Sequence, residues 1–155
     1  MVEVSESVVV HAPREAVFAF VDRPDNQVAV TPALTGVADV QSKPDGGKRL
    51  LYGYRVFGIV FTGALETTTY DPPERLVFEM TGDIEGEIRW TLDALDEDRT
   101  RFTYAADYDL SWLPLYRLLQ PLLRWYNRRE LRRAVENTRE AVEHGRETVR
   151  IELDG

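Results

Sequence analysis

Residues 111–144 constrain the fold more than any other stretch. Leu115, Leu118, Leu119, Leu122, Leu123 and Tyr126 recur at helical spacing as one apolar stripe, and Ala134, Val135, Thr138, Ala141 and Val142 form a second. At about 100° per residue the second stripe is rotated roughly 120° from the first, so a straight helix here needs two partner surfaces. Pro121 lies inside the run, where a proline removes one backbone donor and crowds the preceding turn. The spacing therefore predicts a kink at Pro121, or a short helix from Pro114 followed by a long one from Pro121, since both prolines suit a first helical position. Gly145 supplies a stop. A helix of about 24 residues is about 36 Å long, enough to cross a small sheet. A rod of that length needs a curved surface to lie in.

The preceding residues read as that surface. Residues 2–11 alternate, with Val4, Val8 and Val10 on one side and His11 at the end, which predicts a strand. Pro13 opens a short helix that buries Ala16, Val17, Phe20 and Val21, and Arg23-Pro24 ends it. Residues 24–30 form a second short helix before Thr31-Pro32. Six strands follow, over 34–42, 48–57, 59–70, 75–81, 84–95 and about 101–110, separated by turn-forming runs such as Pro44-Asp45-Gly46-Gly47 and Asp71-Pro72-Pro73. Within them Tyr52, Tyr54, Phe61, Phe78, Trp90, Tyr104 and Tyr108 alternate with charged residues and are assigned to the inner face. Short hairpin links imply an antiparallel sheet with one wet and one covered face. The expected fold is α+β: about seven strands around a long C-terminal helix, with two short helices after the first strand. Residues 1–145 make the domain. In 146–155, Val149, Ile151 and Leu153 alternate with charged residues, which predicts an eighth strand added to a sheet edge of the same chain or of a second copy. That strand is the expected route to a homodimer.

Composition narrows the function. The chain has 155 residues, enough for one domain with a real core. A formal net charge of −8 argues against a nucleic-acid partner, whose phosphates call for a basic surface. With no cysteine and two histidines far apart, thiolate chemistry and a histidine-rich metal centre are excluded, and no metal or cofactor is expected. No apolar run approaches a membrane span and no signal-peptide pattern follows Met1, so the cytoplasm is the expected compartment. His11 is assigned to the surface, and His144 to a helix C-terminus as a dipole partner. Six arginines, Arg117, Arg124, Arg128, Arg129, Arg132 and Arg133, lie among Trp112, Leu115, Trp125 and Tyr126. The cluster is read as a solvated helix face paired with Glu130, Glu136 and Glu140. Its alternative reading is a helix lying on an anionic membrane.

The order of elements resembles the START-related SRPBCC superfamily, the helix-grip fold, and within it the polyketide cyclase/dehydrase and lipid-transport branch. The resemblance spans about residues 4–143. It rests on Val8-Val9-Val10-His11-Ala12-Pro13-Arg14-Glu15-Ala16-Val17-Phe18, on Tyr70-Asp71-Pro72-Pro73-Glu74-Arg75-Leu76-Val77-Phe78, and on Thr100-Arg101-Phe102-Thr103-Tyr104 before the terminal helix. These motifs are structural, so they imply a fold and carry no catalytic residue across.

From the residues themselves, seven inward aromatics, four of them tyrosines, fit a cavity wall better than a dry core, which favours Leu, Ile and Phe. The expected ligand-binding set is Tyr52, Tyr54, Phe61, Phe78, Trp90, Tyr104 and Tyr108 from the sheet, with Leu118 and Leu122 from the helix. An apolar ligand losing about 300 Å² of surface there gains roughly 7 kcal/mol, part of it offset by the cost of association. The leading expectation is binding or transport of an apolar small molecule, aromatic, lipid or isoprenoid-like. The alternatives are a metal-free cyclase or dehydratase that uses Tyr52, Tyr104 or Tyr108 as a hydrogen-bond donor, and a membrane-peripheral lipid or quinone chaperone.

Overall fold

The computed structural model describes the backbone of residues 2–154 and the side chains of residues 2–145. Strand β1 (Val2–Val10) leads into helices α1 (Arg14–Val21) and α2 (Pro24–Val30). Strands β2 (Leu34–Ser42), β3 (Lys48–Val56), β4 (Ile59–Asp71), β5 (Arg75–Gly82), β6 (Glu85–Asp96) and β7 (Arg99–Asp109) follow, and α3 (Tyr116–Asp154) closes the chain. Pro13 caps α1 from the extended region rather than entering it, whereas Pro24 occupies the first turn of α2, where its missing N–H costs nothing.

The seven strands form one antiparallel sheet in the order β1-β7-β6-β5-β4-β3-β2. Consecutive strands from β2 to β7 pair as a meander, and β1 docks on the far side of β7. Register shifts in β2, β4 and β6 insert extra residues on one strand of a pair, which bends the sheet toward its covered face. Close approach also matters at Gly63, which pairs with Gly82 of β5 and Tyr52 of β3. A Cβ on Gly63 would collide with the Thr81 carbonyl oxygen and sit 2.9 Å from the Tyr52 hydroxyl. Gly82, at φ 106°, adopts backbone that side chains rarely tolerate.

Burial alternates as the sequence predicts. One cluster joins Leu50, Tyr52, Val56, Phe61, Met80 and Tyr108 to Leu123 and Leu131 of α3. A second joins Val10, Leu76, Trp90, Leu92 and Phe102 to α1 and to Val135 and Val142. The two rotated stripes of α3 therefore meet two successive parts of the concave face. Two charged strand residues break the pattern: Lys48 shares the covered side of β3 with Leu50 and Tyr52, and Glu6 shares the α3-facing side of β1 with Val4 and Val8 and accepts from Arg128 and Arg132 at 3.4 Å each.

Of the two readings at Pro121, the structure has the unbroken one: α3 is a single element from Tyr116 with Pro121 inside it, not two helices starting at Pro114 and Pro121. Two further expectations about this helix are corrected. Gly145 does not stop it, because the backbone stays helical to Asp154. The predicted eighth strand over Val149–Leu153 is thus helix, and strand pairing there gives no route to a homodimer; the side chains of 146–155 lie outside the described residues. The helix runs on because one glycine inside it costs only about 1 kcal/mol and Arg146, Glu147 and Arg150 are good helix formers. His144 accordingly lies within the helix rather than at its end. Among the described residues no helix is long and apolar enough to cross a membrane.

Candidate functional site

The sheet and α3 do not fill the space between them. A cavity of about 120 Å³ remains over the middle of the sheet. An engineered apolar cavity of about 150 Å³ takes in benzene, so this space is ligand-sized on a small scale. Its floor comes from β2 to β7, its roof from Asn127 and Leu131 of α3, and one side from the α1–α2 elbow.

Six of the nine expected residues meet there: Tyr52, Tyr54, Phe78, Trp90, Tyr104 and Tyr108 all line the cavity. Trp90 organises the floor. Phe78, Tyr104 and Phe102 stand edge-on around it at centroid distances of 4.9, 5.7 and 6.4 Å, the arrangement that ring quadrupoles favour. Phe61 is buried in the neighbouring cluster and stacks edge-on with Trp112 at 6.0 Å, outside the lining. Leu118 and Leu122 are corrections of another kind. They are 75% and 48% exposed, on the side of α3 turned away from the sheet, while Leu119 and Leu123 pack inward. The stripe read from the sequence is wider than one face, and Tyr126 fixes which edge is buried. Its hydroxyl donates to the Arg55 carbonyl at 3.1 Å and its ring lies 4.5 Å from Phe57.

The phenols set the electrostatics. Burial pushes the Tyr104 hydroxyl up to about 12. Tyr52 rises to about 12 as well, through burial and then the nearby Asp83 carboxylate. Burial also raises Tyr54 well above the usual phenol range, with the neighbouring Tyr104 and Tyr108 phenols and the Glu130 carboxylate adding to it. Tyr108 is raised by burial and by Tyr116 beside it. All four stay protonated near neutral pH, which makes them hydrogen-bond donors and not bases. Tyr52 donates only at 3.5 Å, to the Ile84 carbonyl, and the Tyr108 hydroxyl is buried without a partner among the described residues. A buried hydroxyl left unpaired costs free energy that a ligand oxygen would recover.

Sequence reasoning missed the polar pole of the cavity. Asp22 and Lys48 both line it and pair at 2.9 Å, and the Tyr70 hydroxyl donates to the other Asp22 oxygen at 2.8 Å. Thr67 pins Lys48 in place by accepting from its backbone N–H at 2.9 Å and donating to its carbonyl at 3.1 Å. The only available signal was that Lys48 is one of just two lysines in an arginine-rich chain. His11 is exposed as expected and lies against Glu143. Among the described residues no cluster of three or more His, Asp or Glu side chains is arranged to hold a metal ion.

Solved structures of the same architecture include TTHA0849 from Thermus thermophilus, at 19% identity and a TM-score of 0.82, covering 92% of this chain and 98% of that one. The Zhui aromatase/cyclase from Streptomyces sp. R1128 is similar at 15% identity and a TM-score of 0.79, covering 91% and 93%. A START superfamily protein from Mycobacterium smegmatis is similar at 18% identity and a TM-score of 0.78, covering 92% and 97%. At these identities the likeness establishes the fold and leaves activity open. Among curated proteins none matches the sequence significantly. The family model described as polyketide cyclase / dehydrase and lipid transport matches residues 1–143, nearly the whole chain, and the protein belongs to that family.

Proposed function

We propose that the protein binds, and carries or presents, an apolar small molecule of aromatic, lipid or isoprenoid type in the cavity under α3. One observation carries this reading: a largely apolar space keeps buried phenol hydroxyls on its wall, and that of Tyr108 has no partner among the described residues. A core selected only for stability gains nothing from that hydroxyl, whereas a ligand oxygen placed beside it satisfies it. The cavity volume suits a body of one ring or a short branched chain, with a polar end turned toward the Asp22–Lys48 pole.

A second reading has a specific observation behind it. The Zhui protein of the same fold is an aromatase/cyclase, and phenols held protonated by burial are suited to donate to a substrate carbonyl during ring closure or loss of water. In that case Tyr104 and Tyr108 orient and polarise the carbonyl. Native mass spectrometry after gentle purification separates empty from loaded protein. An apolar adduct at one per chain supports the binding reading, and repeated spectra of bare protein, with no uptake of benzene-sized additives, would refute it. Turnover of a bound poly-ketone that Tyr108→Phe abolishes while binding persists would favour the enzyme.

A further inference from the structure

The exposed side of α3 carries a second apolar stripe that nothing among the described residues covers. Leu118, Leu122 and Trp125 lie at helical spacing within a 60° arc by ideal geometry (roughly 100° per residue), and Arg129 continues the line. Trp125 is 56% exposed, and Trp112 and Leu115, in the turn before the helix, are 58% and 69% exposed. Phe57 and Ile59, at the tip of the β3–β4 hairpin beside Tyr126, extend the patch. Single exposed apolar residues are ordinary, but two exposed tryptophans and three exposed leucines between residues 112 and 125 mark a contact surface.

Charge identifies the occupant. Between residues 111 and 134 stand six arginines against one carboxylate, Glu130, in a chain whose net charge is −8. Arg128 and Arg132 reach Glu6, and Arg133 reaches Glu130. Among the described residues Arg117, Arg124 and Arg129 meet no carboxylate within 4 Å, and Arg129 instead lies 5.9 Å above the Trp125 ring. A second copy seated on the same stripe would bring these arginines against their own counterparts, at a cost. An anionic bilayer surface fits both features, since it takes the leucines and indoles below its headgroups and pairs the arginines with its phosphates and carboxylates.

We infer that the protein docks peripherally on anionic membranes through the N-terminal part of α3, the turn before it and the β3–β4 hairpin tip. This goes beyond the cavity reading and stands whether or not the cavity holds a ligand.

Vesicle sedimentation tests it directly. Wild-type protein is expected to sediment at low salt with phosphatidylcholine vesicles containing about 30% phosphatidylserine, to stay in the supernatant with pure phosphatidylcholine, and to detach as salt rises. Emission from Trp112 and Trp125 should shift to the blue on binding, a readout that needs no variant. Each arginine near such a surface is worth about a fivefold factor in partitioning, so Arg117→Gln/Arg129→Gln should weaken binding roughly twentyfold to thirtyfold. Leu118→Asn/Leu122→Asn should abolish it while leaving the thermal midpoint unchanged. Wild-type protein that stays in solution with the anionic vesicles at low salt would overturn the inference. So would binding that neither pair of substitutions changes, or a self-associated dimer that Leu118→Asn/Leu122→Asn dissolves.

Discussion

Replacing Ala106 by leucine tests whether the space under α3 is real. Ala106 is 6% exposed, lines the cavity, and sits in register between Ile88 of β6 and Val4 of β1. Leucine adds three carbons there. If they enter empty apolar space, each contributes about 0.8 kcal/mol, about 2.4 kcal/mol in all. Ordering the longer side chain takes back about 0.5–1 kcal/mol, leaving a net gain of about 1.5–2 kcal/mol for the unliganded protein. For a chain of this size that raises the thermal midpoint by roughly 3–8 °C. The same carbons occupy the ligand's place, so uptake of a single-ring fluorophore should fall sharply. Thermal and urea unfolding of delipidated protein, with a fluorophore titration alongside, read both effects. Were the region already packed, leucine would force its neighbours off their rotamers and cost about 1–3 kcal/mol. Destabilisation of that size would refute the cavity, and a stable variant with undiminished uptake would place the fluorophore elsewhere.

Other consequences follow from single residues. Tyr108→Phe removes a buried hydroxyl without a partner among the described residues, so stability of the empty protein should hold or rise by up to about 1 kcal/mol, while a ligand bearing an acceptor oxygen binds about fivefold to tenfold more weakly by calorimetry. Gly63→Ala drives a methyl group into the Thr81 carbonyl and should cost about 2–3 kcal/mol in urea unfolding; a loss under about 0.5 kcal/mol would show that the strands can part. Leu123→Ala should cost about 2–5 kcal/mol, whereas Leu118→Ala should stay within about 0.5 kcal/mol, an ordering opposite to any model that buries Leu118. The folded pKa values of Tyr52 and Tyr104, about 12, lie above the ordinary phenol value. Their stabilising effect is therefore complete below about pH 10 and is lost as pH climbs from about 10 to 12. Phenolate absorbance should show these side chains ionising late and together with unfolding, and early ionisation in the folded protein would contradict their burial.

What the sequence revealed follows from how local each signal is. Alternation located all seven strands and put Tyr52, Trp90 and Tyr104 on the covered side, because the two-residue period assigns faces without knowledge of any neighbour. The prolines at 13 and 24 marked both short helices. The failures all needed information from another element. Which edge of the Leu115–Tyr126 stripe turns inward depends on Tyr126 reaching Arg55 across the sheet end, so Leu118 and Leu122 were placed wrongly. Val149, Ile151 and Leu153 fit a strand pattern, yet the helix already under way before them continues to Asp154. Nothing local pairs Glu6 with Arg128 and Arg132, more than a hundred residues on, and the Asp22–Lys48–Tyr70 group joins three elements distant in sequence.

Xenon held in crystals under pressure puts the central claim to its most direct test, since the atom enters dry apolar cavities and reports its position by anomalous scattering. A peak enclosed by Trp90, Ala106 and Leu131, displaced when an aromatic ligand is added, is the predicted result. Crystals with no peak in that space, or with xenon only on the outer faces, would contradict it.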